Sequence, residues 1–203
     1  MTQLSPVRVA TVNDRQSVVD MVVSAFAGDP LVAGHLFGPR FAEWGPLFFG
    51  YLFDVRVDDG EVWVTDALDS VAMWTLPGGT SMSQADRDRL WESVRAQFDA
   101  ATDHRVDTFG ELMQALKPAP PFWYLGVLAT RPQSQGRGLA SSVVQPVLSR
   151  ADEAGLTCGL ETASRPALAL YARLGFTTVT DAALADGTPL WWLERPPQPP
   201  ART

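Results

Sequence analysis

The stretch Phe122 to Ala140, FWYLGVLATRPQSQGRGLA, constrains the fold of this 203-residue chain most strongly. Its first part, 123–128, has the aromatic and β-branched content typical of a buried strand. Pro132 ends that run, and the glycine-rich turn Gly136-Arg137-Gly138 follows. The pattern predicts a strand, a turn and a helix start, whose free N–H groups and positive dipole end suit an anion.

Two nucleotide-binding interpretations compete for this turn. Gly136 and Gly138 resemble the start of the dinucleotide motif GxGxxG, with Glu161 about twenty residues further on. However, Ser141 stands at the third glycine, and the turn does not follow its strand directly. The Walker motif is excluded because the only lysine is Lys117. A dinucleotide-dependent oxidoreductase therefore stays open only as a minor alternative.

The second interpretation depends on two motifs together. Gln135, Gly138 and Ala140 match QxxGxA, and Leu170 to Phe176, LYARLGF, matches LYxxLGF. This pair resembles the GCN5-related N-acetyltransferases (GNATs). Four further segments are similar to the puromycin N-acetyltransferase-like branch of that family: Val7 to Thr11, Ala25 to Ala27, Leu160 to Thr162 and Asp186 to Trp191.

Periodicity and turn signals predict the remaining elements. We expect an α/β (α+β) fold with a mostly antiparallel sheet. The predicted strands are Val7 to Thr11, Glu61 to Thr65, Ser70 to Thr75, Trp123 to Leu128, Leu156 to Thr162, Phe176 to Thr180 and Leu190 to Arg195. The predicted helices are Arg15 to Phe26, Leu31 to Phe37, Phe41 to Val57, Ser83 to Asp99, Phe109 to Leu116, Leu139 to Ala154 with a kink at Pro146, and Pro166 to Leu174.

The resemblance implies a GNAT-like mixed sheet of about seven strands with helices on both faces. It also implies that the strand before the turn runs parallel to Leu156 to Thr162, and that the two splay apart to admit the pantetheine arm of acetyl-CoA. We predict a single domain over residues 1–195. Residues 196–203, with four prolines, are expected to form a disordered tail.

The resemblance assigns acetyl-CoA as cosubstrate and supplies its binding residues. Backbone N–H groups of Gly136 to Ser141 are expected on the pyrophosphate, and main-chain groups of Leu128 to Thr130 on pantetheine. Ser164 stands where relatives often have an asparagine that bonds the cofactor. The complete predicted set is Leu128, Ala129, Thr130, Gln135, Gly136, Arg137, Gly138, Leu139, Ala140, Ser141 and Ser164.

Two residues are expected to perform the chemistry. Tyr171, in the LYxxLGF position, resembles the family's general acid, which protonates the departing thiolate. The glutamate that some members carry on the key strand falls at about Tyr124 here, so we assign Glu161 as the base. Alternatively, Glu161 is a buried carboxylate that caps the following turn. His35 or His104 acting through water is a further option.

Composition limits the other possibilities. The single cysteine, Cys158, excludes an internal disulfide and is expected in the core. The two histidines match no metal-ligand spacing, so we predict no metal. A net charge of −7 disfavours nucleic acid as a partner and is compatible with a cationic substrate. The absence of a long apolar run or a signal-peptide pattern predicts a cytoplasmic protein without a membrane partner.

The sequence therefore predicts an acetyl-CoA-dependent N-acetyltransferase that acts directly on a primary amine of a small molecule. The alternative is a non-catalytic acyl-CoA-binding regulator on the same fold. A monomer or a homodimer is expected. The identity of the acceptor amine is left open.

Overall fold

The computed structural model describes residues 6–59, 61–119 and 121–199, so residues 200–203 of the predicted tail lie outside the described part. Seven strands form one sheet in the order β1-β2-β3-β4-β5-β7-β6. The strands are β1 (Val7–Val9), β2 (Val62–Thr65), β3 (Ser70–Thr75), β4 (Trp123–Thr130), β5 (Cys158–Thr162), β6 (Thr177–Ala183) and β7 (Pro189–Arg195).

Helices cover both faces of this sheet. They are α1 (Arg15–Phe26), α2 (Phe41–Val57), α3 (Gln84–Arg95), α4 (Ala100–Leu116), α5 (Leu139–Ala154) and α6 (Arg165–Arg173), together with a π-helical segment at Pro30–Leu36. On one face of the sheet, residues of α1 and α2 pack against the strands and form one hydrophobic core. On the opposite face, residues of α5 form a second core. The predicted fold class, a mostly antiparallel seven-stranded sheet between helical layers, is confirmed.

The one parallel contact in the sheet joins β4 to β5, and it is short. Their only paired residues are Trp123 with Cys158 and Tyr124 with Gly159. Of the remaining six residues of β4, all but Gly126 pair with β3 alone, while β5 stays paired with β7 as far as Thr162. The implied splaying of the two strands is therefore confirmed, and it leaves one edge of β4 open.

A β-bulge at Gly126 re-aims the side chains of β4. Trp74 pairs with Leu125 and Met73 pairs with Val127, so Gly126 has no opposite residue. As a result Leu125 packs into the core under α5, whereas Val127 packs into the core under α1 and α2. The bulge lies where β4 is separating from β5, so it can shape the site there.

Most element boundaries agree with the sequence analysis, and α4 is the main exception. The predicted helix at Phe109 to Leu116 begins nine residues earlier, at Ala100, because the Asp99 carboxylate accepts a hydrogen bond from the Thr102 N–H at 2.8 Å and caps it. The preceding helix ends at Arg95, not at Asp99. The helix α5 runs uninterrupted through Pro146.

Two further observations concern burial and length. Cys158 is fully buried, as predicted, and burial raises the pKa of its thiol to about 12.

Among the described residues, no single helix is long and apolar enough to cross a membrane. The segments Val12–Phe26 and Pro30–Leu36 reach that length only together, across a bend of 81°.

Glycine substitutions test the packing around β5. A Cβ at Gly159 would lie 2.5 Å from Cζ2 of the buried Trp192 ring, so Gly159→Ala should lower the free energy of unfolding by about 1–3 kcal/mol. Gly110→Ala is the control, because that position in the interior of α4 is open and alanine should stabilise it by about 0.5–1 kcal/mol. Urea unfolding measures both; equal effects would contradict this packing.

Candidate active site

A cavity of about 800 Å³ opens where β4 and β5 separate. The inner part of β4, from Leu125 to Thr130 except Val127, lines it, as do Glu161 of β5 and Tyr171 of α6. Its other wall comes from α1, α2, α4 and the π-helical segment. The open edge of β4 therefore borders a space large enough for a small-molecule ligand.

The structure divides the predicted cofactor residues into two groups. Leu128, Ala129, Thr130, Gln135 and Ser164 line the cavity. The others, Gly136, Arg137, Gly138, Leu139, Ala140 and Ser141, do not line it but form the turn and the first residues of α5. Apart from Ser164, the two groups follow each other along the chain, so an extended ligand could follow β4 and end at the helix.

The turn before α5 has the geometry of an anion-binding site. Gly136 and Gly138 have φ values of 74° and 81°, which only glycine adopts without strain, and Gly138 caps the helix. The N–H groups of Leu139, Ala140 and Ser141 precede the first intrahelical bond, so helix geometry directs them outward. Gln135 Nε2 donates to the Thr130 carbonyl at 3.3 Å and fixes the turn to the end of β4.

Tyr171 presents a protonated phenol to the cavity. The side chain is 8% exposed, and its ring packs edge-on against Phe176 at 6.0 Å. No described residue forms a hydrogen bond with its hydroxyl. Burial, followed by the negative charges of Glu161 and Asp29, raises the pKa of Tyr171 above its usual value. The phenol can therefore donate a proton at any pH near neutrality.

Among the described residues, only one of the two carboxylate oxygens of Glu161 has a hydrogen-bond partner. Its Oε1 accepts a hydrogen bond from the Tyr124 hydroxyl at 2.7 Å, whereas Oε2 is buried and has no partner among the described residues. Burial raises the pKa of Glu161, and the positive charge of Lys117 and the Tyr124 hydrogen bond oppose this. A buried, unsatisfied carboxylate oxygen is costly, so we expect a ligand donor there.

The alternative role for Glu161, capping of the turn after β5, is wrong. The Thr162 hydroxyl accepts the hydrogen bond from the Ser164 N–H at 3.1 Å instead. The carboxylate of Glu161 is directed to Tyr124, in the cavity wall.

Sequence reasoning missed the groups that surround Glu161. The Lys117 ammonium lies 4.0 Å from the centre of the Tyr124 ring, and burial lowers the pKa of this amine. Arg56 of α2 reaches the same part of the cavity. For Tyr124 the available signal was its position, where some members of the family carry a glutamate. Arg56 and Lys117 gave no such signal, because both lie outside the two motifs.

The other candidates are more distant. His35 pairs with Asp186 at 2.7 Å, His104 is exposed on α4, and neither lines the cavity. Within the described ranges, no three His, Cys, Asp or Glu side chains are placed to hold a metal ion. Of the aromatic residues of α2, Phe41, Trp44, Phe49 and Phe53 are buried in the core. Phe48 and Tyr51 line the cavity, as does part of the buried Phe49.

Removal of the Tyr124 hydroxyl tests the electrostatics of this site. A hydrogen bond to a carboxylate favours its charged form, so Tyr124→Phe should raise the pKa of Glu161 further. The ¹³C chemical shift of the Glu161 carboxyl, followed against pH, measures it. Tyr171→Phe is the control, because that hydroxyl does not bond to Glu161. An unchanged pKa in Tyr124→Phe would contradict the bond.

Comparisons with known proteins identify the fold. Residues 94–176 match the model of the acetyltransferase (GNAT) family. A histone acetyltransferase HPA2 and related acetyltransferase from Corynebacterium glutamicum is 24% identical, and the alignment covers 98% of this chain and 100% of that chain with a TM-score of 0.62.

Two insect enzymes are similar in structure at lower identity. The polyamine N-acetyltransferase of Drosophila melanogaster is 13% identical over 94% of this chain and 99% of its own, with a TM-score of 0.68. Arylalkylamine N-acetyltransferase 2 from Aedes aegypti is 13% identical over 95% and 99%, with a TM-score of 0.65. The matched segment, which contains both motifs, is thus similar to the GNAT family, and the described residues have the fold of these acetyltransferases.

Proposed function

We propose that this protein is an acetyl-CoA-dependent N-acetyltransferase that transfers the acetyl group directly to a primary amine of a small molecule. One observation supports this most: the open edge of β4, the unbonded hydroxyl of Tyr171 and the unpartnered Oε2 of Glu161 share one cavity. Similar folds occur in enzymes named for polyamine and arylalkylamine substrates, which agrees with a small amine.

In this proposal the cofactor lies along β4. Its pyrophosphate binds the N–H groups at the start of α5, where the helix dipole favours negative charge. Its pantetheine arm pairs with main-chain groups of Leu128, Ala129 and Thr130 in place of the absent neighbour strand. Ser164, at the start of α6, borders the same channel.

Glu161 prepares the acceptor amine. The unpartnered Oε2 accepts a proton from the ammonium group, directly or through water. Because burial raises the pKa of the Glu161 carboxyl, this pKa lies closer to the pKa of the ammonium donor, which favours the transfer. The neutral amine attacks the thioester carbonyl and forms the C–N bond. A backbone N–H of β4 near the Gly126 bulge stabilises the resulting oxyanion.

Tyr171 completes the transfer. Collapse of the tetrahedral intermediate breaks the C–S bond, and the phenol donates its proton to the CoA sulfur. The acetylated nitrogen loses its extra proton, which returns through water to the Tyr171 phenolate, and Glu161 releases to solvent the proton that it took from the ammonium group. Its raised pKa keeps this donor protonated over the working pH range. The products are the N-acetylated amine and free CoA.

The proposal is tested by thiol release from acetyl-CoA with a panel of primary amines, including polyamines, arylalkylamines, amino acids and aminonucleosides such as puromycin. Thiol release with an amine supports the enzyme. Saturable acetyl-CoA binding without release would support the regulator, and thermal protection by NAD(P) alone would revive the oxidoreductase. Membership of the puromycin N-acetyltransferase-like branch, a cytoplasmic location and a monomeric or homodimeric state are part of the same proposal.

A charge at the start of α5 tests the cofactor anchor. Ser141 is the third residue of α5, where a glutamate is favourable for the helix but repels a pyrophosphate. Ser141→Glu should therefore fold normally and weaken acetyl-CoA binding by about tenfold or more, measured by calorimetry. Gln145→Glu adds the same charge to the exposed face of α5 as a control. Equal affinities of the two variants would exclude this anchor.

Removal of the Tyr171 hydroxyl tests the general acid. Tyr171→Phe keeps the ring and should reduce kcat by about 10² to 10⁴ with little change in Tm. The defect should shrink as pH rises past about 8.5, the intrinsic pKa of a thiol, because the thiolate then departs unaided. Tyr51→Phe removes another hydroxyl from the cavity lining and keeps the aromatic ring, so it is the control and should not reproduce this pH dependence. A Tyr171→Phe rate within about twofold of the wild type at neutral pH would reject the assignment.

A further inference from the structure

Arg56 is a buried cation without an acidic partner. The residue is 6% exposed, in the last turn of α2. Its Nε donates to the Thr75 hydroxyl at 3.1 Å and its Nη1 to the Leu52 carbonyl at 2.8 Å. No carboxylate of the described residues forms an ion pair with it. Burial lowers the pKa of the guanidinium, because the nearest acidic groups compensate only part of the lost hydration.

The same chain shows how a buried arginine is otherwise accommodated. Arg195 is 5% exposed and binds Asp152 with two hydrogen bonds of 2.6 and 2.8 Å, and the Leu174 carbonyl with a third of 3.0 Å. This arginine does not line the cavity. A buried charge is normally paired in this way, so the missing partner of Arg56 requires an explanation.

The position of Arg56 indicates which ligand would supply that partner. Its guanidinium lies against Gly126 of β4: a Cβ built at Gly126 would be 2.9 Å from Arg56 Nη2 and 3.3 Å from the Tyr124 ring. Tyr124 in turn bonds Glu161. Arg56 and the proposed base therefore both lie near Tyr124 in one cavity, within reach of one small molecule.

The cofactor cannot easily be that ligand. Its proposed anchor is the start of α5, and α5 packs on the sheet face opposite to the one that carries α1 and α2. Arg56 belongs to α2 and thus to the acceptor side. The acidic groups that line the cavity, Asp29 and Glu161, do not pair with it, since Asp29 accepts hydrogen bonds from the Leu31 and Val32 N–H groups.

We propose that Arg56 is the carboxylate subsite of the acceptor pocket and that the acceptor is a free amino acid with an apolar or aromatic side chain. A carboxylate at Nη2 completes the ion pair, and the α-amino group then faces Glu161. The remainder of the substrate contacts the aromatic wall, which includes Phe26, Phe48, Phe49, Tyr51 and Phe109. This inference rests on the proposed acetyltransferase function.

Matched substrates test it first in the wild-type protein. Phenylalanine and phenethylamine differ only in the carboxylate, as do leucine and isoamylamine. We expect kcat/KM to be about tenfold or more higher for each amino acid than for its decarboxylated partner. Equal values, or a preference for the amines, would overturn the subsite while leaving the acetyltransferase proposal intact.

Substitution of Arg56 then tests whether this residue causes the preference for amino acids over amines. Arg56→Gln should bring the kcat/KM ratio of phenylalanine to phenethylamine close to one, and Arg56→Lys should retain part of it. Arg87→Gln is the control, because Arg87 also lines the cavity but already bonds Thr80, Met82 and Gln84. An equal loss on both substrates in Arg56→Gln would overturn the proposal, since Arg56 would then act on the thioester or on folding.

A binding measurement separates the subsite from catalysis. 3-Phenylpropionate has the carboxylate and ring of phenylalanine without its amine, and 3-phenylpropanol lacks the carboxylate too. Calorimetry on the CoA-bound protein should detect the propionate in the wild type, more weakly in Arg56→Gln, and not the alcohol. Arg56-dependent binding without acetylation of any amine would support the subsite and reject the enzymatic function. Failure of the propionate to bind would reject the subsite.

Discussion

The separation of β4 from β5 after two residue pairs is the feature on which the rest of the site depends. A parallel pair that continued would satisfy the backbone of β4 and close the cavity. Instead β5 remains bonded to β7, and β4 remains bonded to β3, so each strand is held from one side. The Tyr124–Glu161 hydrogen bond joins the two strands just where they part. Tyr124 also stacks on Trp192, which fills the space left open by Gly159.

The cavity lining contains buried charged groups that do not stabilise the fold. The unpartnered oxygen of Glu161, the buried Lys117 and the unpaired Arg56 each lose hydration that their protein neighbours replace only in part. Such groups lower stability, and their retention is typical of sites that bind a ligand. The lining holds three cations and two carboxylates in a chain whose net charge is −7. The overall charge was therefore a poor guide to the substrate.

The sequence predicted the parts of the molecule that local chemistry determines. The turn glycines, Gly136 and Gly138, require positive φ, and the helix after them was predicted to its last residue. The parallel pair came from the resemblance, because long-range pairing leaves no local signal. Gly126 looked like an ordinary strand residue; its bulge appears only through the register with β3. Likewise, Arg56 and Glu161 line the same cavity only because the fold brings α2, β4 and β5 together.

Amide hydrogen exchange with and without acetyl-CoA tests most directly whether the open edge of β4 binds the cofactor. If acetyl-CoA binds there, amides of residues 125–130 and 138–141 should exchange more slowly when it is added. Exchange in β1 and β2 should change little, because β3 separates these strands from β4 and from the opening between β4 and β5. A matched run with pantetheine, which lacks the pyrophosphate, should protect β4 but not the start of α5. Protection confined to other strands, or no protection of β4 at saturating acetyl-CoA, would contradict the account.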